Sequence, residues 1–255
     1  MRKFHWAACV ALGAALVAPA AASAADLPVY EAPAPIPVFS GWYLRGDIGM
    51  TNQQVHKIST VDYQYNDFDV HDKDFDAGML FGLGFGYEVN NWLRVDFTGE
   101  YRGKTEFHGY DTYAAGATFA AGSNEYHANK SEWLFLANAY ADIGTWYGVT
   151  PFVGVGAGVV HIEISDFTDT NAPQSGSAYA EDNGQWNPAF ALHAGLGWQI
   201  TPNLTMELAY RFLYLGDAKS GDIKKHDGTN EYDNPLKFKD ITSHDIKLGM
   251  RYRFY

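Results

Sequence analysis

The sequence predicts an all-β fold, an eight-stranded antiparallel transmembrane up-and-down β-barrel, and three observations carry that expectation. First, the stretch from His244 to Tyr255 sets large apolar groups at Ile246, Leu248, Met250, Tyr252 and Phe254 against Asp245, Lys247, Gly249, Arg251 and Arg253. A period of two with full charges on one face suits a strand with unlike surroundings on its two sides. A barrel in lipid turns the apolar side outward and the polar side inward. Second, eight such stretches occur, and the connections between them are alternately long and short. Third, aromatic residues make up 16% of the chain and glycines number 26, both high for an ordinary globular domain.

The chain divides into a signal peptide over residues 1–24, a Pro-rich periplasmic leader over 25–40 and a barrel over 41–255. Arg2 and Lys3 precede an apolar run to about Val17, and Ala22-Ser23-Ala24 supplies an A-x-A cleavage pattern. That run is shorter than the ~20 residues a spanning helix needs, and no later stretch qualifies, so a helical membrane protein is excluded. Cys9 lies within the signal, which leaves the mature chain without a thiol or a disulfide. Pro28, Pro33, Pro35 and Pro37 forbid a helix in the leader and favour an extended chain, read as a disordered segment or a docking peptide.

The first strand, Trp42–Met50, turns Trp42, Leu44, Ile48 and Met50 out and Tyr43, Arg45 and Asp47 in. A long polar loop to about Asp76 leads to the second, Met79–Val89, with Phe81, Leu83 and Phe85 opposite Gly82, Gly84, Gly86 and Glu88. Asn90-Asn91 turns the chain into the third, Trp92–Arg102, which carries Arg94, Asp96, Glu100 and Arg102 inward. A second long loop, about 103–131, reaches the fourth, Glu132–Gly144, with Asn138, Tyr140 and Asp142 inward; Leu134 and Leu136 blur its phase. After the short turn Thr145–Gly148, the fifth strand, Pro151–Ile162, alternates Val153, Val155 and Val159 with Gly154, Gly156 and Gly158. A third acidic loop precedes the sixth, Ala189–Ile200, where His193 faces in. Thr201-Pro202-Asn203 then turns into the seventh, Leu204–Tyr214, with Glu207 and Arg211 inward. A fourth long loop, about 215–242, ends at the terminal strand. Strands of roughly 9–13 residues fit a tilted span, and short periplasmic turns with long extracellular loops fit a closed membrane barrel.

The proposed interior holds seven acids (Asp47, Glu88, Asp96, Glu100, Asp142, Glu207, Asp245) and seven bases (Arg45, Arg94, Arg102, Arg211, Lys247, Arg251, Arg253). The 18 Lys and Arg, less Arg2 and Lys3 of the signal, leave 16 against 30 Asp and Glu, so the mature net charge of −14 falls on the loops and leader. Such an acidic chain is not a nucleic-acid binder. An eight-stranded interior is filled by side chains, so these charges form an ion-pair network, with glycines making room for long Arg side chains.

No catalytic residues or cofactor are indicated. Lipid A deacylases of this architecture place a Ser shortly after a His, but Ala194 and Gly195 follow His193, which joins the interior network instead. The carboxylates of Asp67–Asp74 attract divalent cations without the spacing of an EF-hand, and no defined metal site is expected. Tyr63, Tyr65, Tyr110, Tyr113 and Tyr126 give the loops a further ligand-binding character.

The terminal strand resembles the C-terminal assembly signal of bacterial outer-membrane barrels at Lys247, Gly249, Tyr252 and Phe254, although the chain runs one residue further to Tyr255. Further motifs are the Ala-Asp start with its Pro-rich leader, Ser40-Gly41-Trp42-Tyr43-Leu44-Arg45-Gly46-Asp47-Ile48-Gly49, Asn138-Ala139-Tyr140-Ala141-Asp142 and Pro151-Phe152-Val153-Gly154-Val155-Gly156-Ala157-Gly158. On these the mature chain resembles the Omp25/Omp31-like, porin-family proteins of α-proteobacteria, small OmpA-type barrels. The resemblance implies a major surface protein of the bacterial outer membrane that maintains envelope integrity. Its partners would be outer-membrane lipid and lipopolysaccharide, the barrel-assembly machinery, and divalent cations at the loops. A narrow porin for small cationic solutes is the alternative reading, and a loop-mediated adhesin or ligand binder the third.

Overall fold

The computed structural model describes residues 41–59, 68–116, 120–171, 176–230 and 234–254; residues 1–40, over which a signal peptide and a Pro-rich leader are expected, lie outside these. Among the described residues are eleven strands: β1 (Trp42–Ser59), β2 (Phe68–Phe75), β3 (Gly78–Glu88), β4 (Leu93–Tyr113), β5 (Gly122–Asp142), β6 (Val149–Asn171), β7 (Gly176–Ala180), β8 (Asn183–Gln199), β9 (Leu204–Lys219), β10 (Ile223–Lys225) and β11 (Lys237–Arg253). Each pairs antiparallel to its neighbours in the order β1–β3–β4–β5–β6–β8–β9–β11, and β11 returns to β1, closing a ring of eight. The seam runs from Tyr43 opposite Arg253 to Ser59 opposite Lys237. β2 continues the ring position of β3 beyond Asp76–Ala77, pairing with β4 and touching β1, while β7 pairs with β6 above β8 and carries β10 on its other edge.

Closure is dictated by the solvent. In hydrocarbon an open edge leaves backbone groups unpaired at several kcal/mol each, so the strands that meet lipid must form a ring. The short turns are built for tightness. Asn90 Oδ1 accepts the N–H groups of Trp92 (3.0 Å) and Leu93 (2.8 Å), and Thr201 Oγ1 accepts those of Asn203 (3.3 Å) and Leu204 (3.0 Å). At Trp146–Val149, Tyr147 and Gly148 have φ of 52° and 79°, the left-handed pair that a two-residue hairpin with matching twist requires.

The faces divide by height. Toward the short-turn end, Trp42, Ile48, Phe81, Leu83, Phe97, Val155, Leu192, Leu248 and Tyr252 are exposed outward, an apolar band bounded by aromatic pairs. Trp42 meets Tyr87 and Tyr252 meets Phe254 at the lower edge; Tyr101 meets Trp133 and Phe135 meets Trp186 at the upper. Above that belt the alternation inverts. Val55, Ile58, Phe107, Ile164, Phe167, Leu215, Phe238 and Ile241 are buried inside, while Asn52, Gln54, Lys104, Glu106, Glu163 and Asp217 face outward.

The long polar stretches expected as loops are therefore largely sheet. β1, β4, β5 and β6 run 18, 21, 21 and 23 residues rather than 9–13. Strand pairing does not stop at the lipid surface; only the solvent changes, and with it the face on which apolar groups belong. The outward apolar alternation that marks a strand in the sequence ends where the phase reverses.

Candidate functional site

The candidate site is the barrel interior. It is assembled from the inward positions of seven of the eight ring strands, brought together by antiparallel register. β1 supplies Arg45 and Asp47, β3 Glu88, β4 Arg94, Asp96, Glu100 and Arg102, and β5 Asp142. β8 supplies His193, β9 Glu207 and Arg211, and β11 Asp245, Lys247, Arg251 and Arg253. All fourteen of these charged residues take part in ion pairs with one another or with Glu132.

At the short-turn end, Glu88 binds Arg251 and lies 3.1 Å from Arg253 Nε, and Asp142 lies 3.0 Å from Arg94 Nε. Glu207 gathers three guanidiniums, at 3.1 Å from Arg94, 3.1 Å from Arg251 and 3.4 Å from Arg45. The Arg94 guanidinium also sits over the rings of Tyr140 (4.4 Å) and Phe152 (4.6 Å), a flat cation on flat faces. Arg45 grips Asp47 through two nitrogens (3.0 and 2.8 Å) and donates to Asp96 (2.9 Å) and the Tyr140 hydroxyl (3.2 Å). Asp96 also accepts from Tyr43 (3.1 Å) and Asn138 (2.8 Å).

Higher up, Lys247 bridges Asp47 (3.6 Å) to Glu100. Arg211 makes a two-pronged contact with Glu100 (2.9 and 2.7 Å) and two bonds to Asp245 (3.0 and 2.7 Å). Arg102 links Asp245 (2.8 Å) to Glu132 (2.6 Å), and Lys130 closes the column on Glu132 and Gln53. The chain of alternating charges thus runs unbroken from Asp142 to Lys130, whose ammonium lies 4.6 Å from the ring of Phe75. There the apolar layer begins, with Phe75, Phe107 and Phe238 packed 4.9–6.0 Å apart between centroids.

Lys130 and Glu132, 1% and 2% exposed, are interior residues that the sequence did not single out. With them the ion-paired column holds eight charges of each sign. Leu134 and Leu136, which blurred the phase of the fourth strand, are fully buried and face in above Asn138. Glycines make room for tyrosines and acids as well as arginine. A Cβ at Gly86 would collide with the Tyr43 ring, one at Gly154 with the Tyr140 ring and one at Gly249 with Asp47. His193 is 7% exposed, with Nε2 3.2 Å from Asn138 Oδ1 and its ring beside Tyr140. Above the membrane, burial raises the Asp111 carboxyl from its ordinary value, although Tyr126 and Asn124 donate to it. The side chains of Asp67–Asp74, expected to attract cations, lie outside the described residues.

A closed antiparallel ring with an apolar outer band, aromatic edges and an ion-paired interior defines an integral barrel of the bacterial outer membrane. Residues 7–254 match the family described as the outer membrane protein beta-barrel domain, and the chain belongs to that family. An uncharacterised protein of Brucella abortus is 31% identical over 270 residues, covering 92% of this chain and 93% of the relative. The outer membrane protein PagN of Salmonella typhimurium is 24% identical, covering 84% and 90%. The crystal structure of the outer membrane protease OmpT of Escherichia coli superposes with a TM-score of 0.52 at 10% identity over 83% of this chain and 97% of that one, a likeness of fold alone.

Proposed function

We propose that this outer-membrane barrel stabilises the envelope with a lumen closed to solutes, as a protein of the Omp25/Omp31-like kind that its motifs resemble. The observation that carries the reading is the unbroken ion-pair column that ends against the apolar layer at Phe75. A solute crossing the lumen would have to separate buried ion pairs and then pass through packed aromatic rings. Breaking one such pair costs about 3–5 kcal/mol, and the column contains several in series. A narrow pore for small cations would instead need a continuous wetted path past carboxylates not already held by arginine. The acidic outer surface suits divalent cations that bridge it to lipopolysaccharide, and the terminal strand suits the assembly machinery.

Single-channel recording of the refolded barrel in a planar bilayer tests this reading. A silent, folded barrel is expected; steady cation-preferring openings overturn it in favour of the narrow porin. The tall sheet above the membrane favours a second reading, ligand binding at the cell surface, because it presents an ordered face rather than loose loops.

A further inference from the structure

On the outside of β4 and β5, above the aromatic belt, three metal-ligating side chains converge. His108 and His127 stand directly opposite in the antiparallel register, and Glu106, two residues before His108, shares their face. Cross-strand partners bring their Cβ atoms to about 4.5–5.5 Å, and same-face neighbours on one strand follow at every second residue. The ligand atoms of Glu106, His108 and His127 all lie within 4.8 Å of one another. His108 Nε2 is 3.6 Å from Glu106 Oε2, and His127 Nδ1 is 3.8 Å from Glu106 Oε1. Ligands at ~2.0–2.1 Å around a tetrahedral Zn²⁺ are about 3.3 Å apart, so a small side-chain rotation brings the three into its shell.

A second observation points the same way. His127 Nε2 lies 3.2 Å from Glu125 Oε1, on the side of the ring away from Glu106. A carboxylate that takes the N–H of one ring nitrogen leaves the lone pair on the other. This is how proteins fix the tautomer of a metal-bound histidine and raise its basicity. Here the nitrogen left with its lone pair is Nδ1, the one that faces Glu106 and His108.

We propose that Glu106, His108 and His127 form a surface site for a borderline divalent transition metal, with Zn²⁺ the natural occupant, and that Glu125 orients His127. Two imidazoles and one carboxylate favour Zn²⁺ over Ca²⁺ or Mg²⁺, which prefer an all-oxygen shell. Three protein ligands leave a fourth position open to the cell exterior.

Isothermal titration of ZnCl₂ into the chelator-treated, refolded full barrel tests the site. One saturable Zn²⁺ per barrel is expected, undisturbed by excess Mg²⁺. His108→Ala with His127→Ala should abolish that binding while leaving the barrel heat-modifiable, because both side chains face outward. Glu125→Gln should weaken binding roughly 10-fold. Equal Zn²⁺ uptake by the wild type and the double variant overturns the site, as does displacement by Mg²⁺. Glu125→Gln binding as tightly as wild type overturns the orienting role.

Discussion

Arg211 is fully buried and holds two carboxylates at once, gripping Glu100 with both terminal nitrogens and Asp245 with the remaining geometry of its fork. Lysine has no such fork, which is why the centre of the column is an arginine while Lys247 and Lys130 occupy positions that need only a point charge. When Arg211 is lost, Asp245 keeps Arg102 and Ser243 and Glu100 keeps Lys247 at Oε1, but Glu100 Oε2 loses its donor and the interior gains a net negative charge. Arg211→Met, which preserves volume, is expected to lower unfolding stability in lipid vesicles by about 3–5 kcal/mol, and Arg211→Lys to fall between the two. The urea midpoint read by tryptophan fluorescence decides it. A midpoint unchanged in Arg211→Met would mean that water reaches the pair and that the column is not closed.

At the scale of one strand, β11 finishes the ring. Its register against β1 holds to Arg253, and the Phe254 N–H donates to the Trp42 carbonyl at 2.9 Å, so the last residues close the lower end of the seam. Deleting residues 254 and 255 removes that bond together with the Tyr252–Phe254 aromatic contact. The expected outcome is a sharp loss of heat-modifiable barrel from the outer-membrane fraction, with Phe254→Ala, which keeps the backbone bond, milder. Normal assembly of the truncated chain would remove Phe254 from the closing machinery.

The same strand shows what the sequence makes legible. Asp245 to Phe254 alternates without interruption, because one face meets lipid and the other a charged lumen, and its orientation could be read directly. Lys130 and Glu132 could not be read in this way. They sit where the outward residues turn from Trp133 to Ser131 and Asn129, so the apolar face that would have marked the strand has already gone. Leu134 and Leu136 are interior residues at the junction of the two regimes, where apolar groups belong on both faces and a period of two loses its contrast.

At the largest scale the described residues form one continuous ring in two solvents. In the lower section lipid outside forces polar groups in, and the only polar filling that a narrow barrel can hold without loss is one in which every charge has a partner. In the upper section water outside lets polar groups face out, and the interior becomes an apolar core like that of a soluble barrel, with Phe107, Leu213 and Phe238 fully buried. The two fillings meet at Lys130, charged toward Glu132 and packed on Phe75.

This division predicts unequal responses to one substitution. Leu83, 75% exposed near the middle of β3, faces lipid, whereas Gln54 on β1 faces outward above the belt. Arginine at Leu83 should cost about 2–4 kcal/mol in a bilayer, because its charge must be carried into hydrocarbon. Arginine at Gln54 should stay within about 0.5 kcal/mol of the wild type, as at an ordinary solvated surface. Urea unfolding of both variants in the same vesicles measures the difference. Similar penalties would mean that the lipid boundary lies above Gln54. The buried phenylalanines would then sit at membrane depth, and the inversion of the faces would no longer mark where the membrane ends.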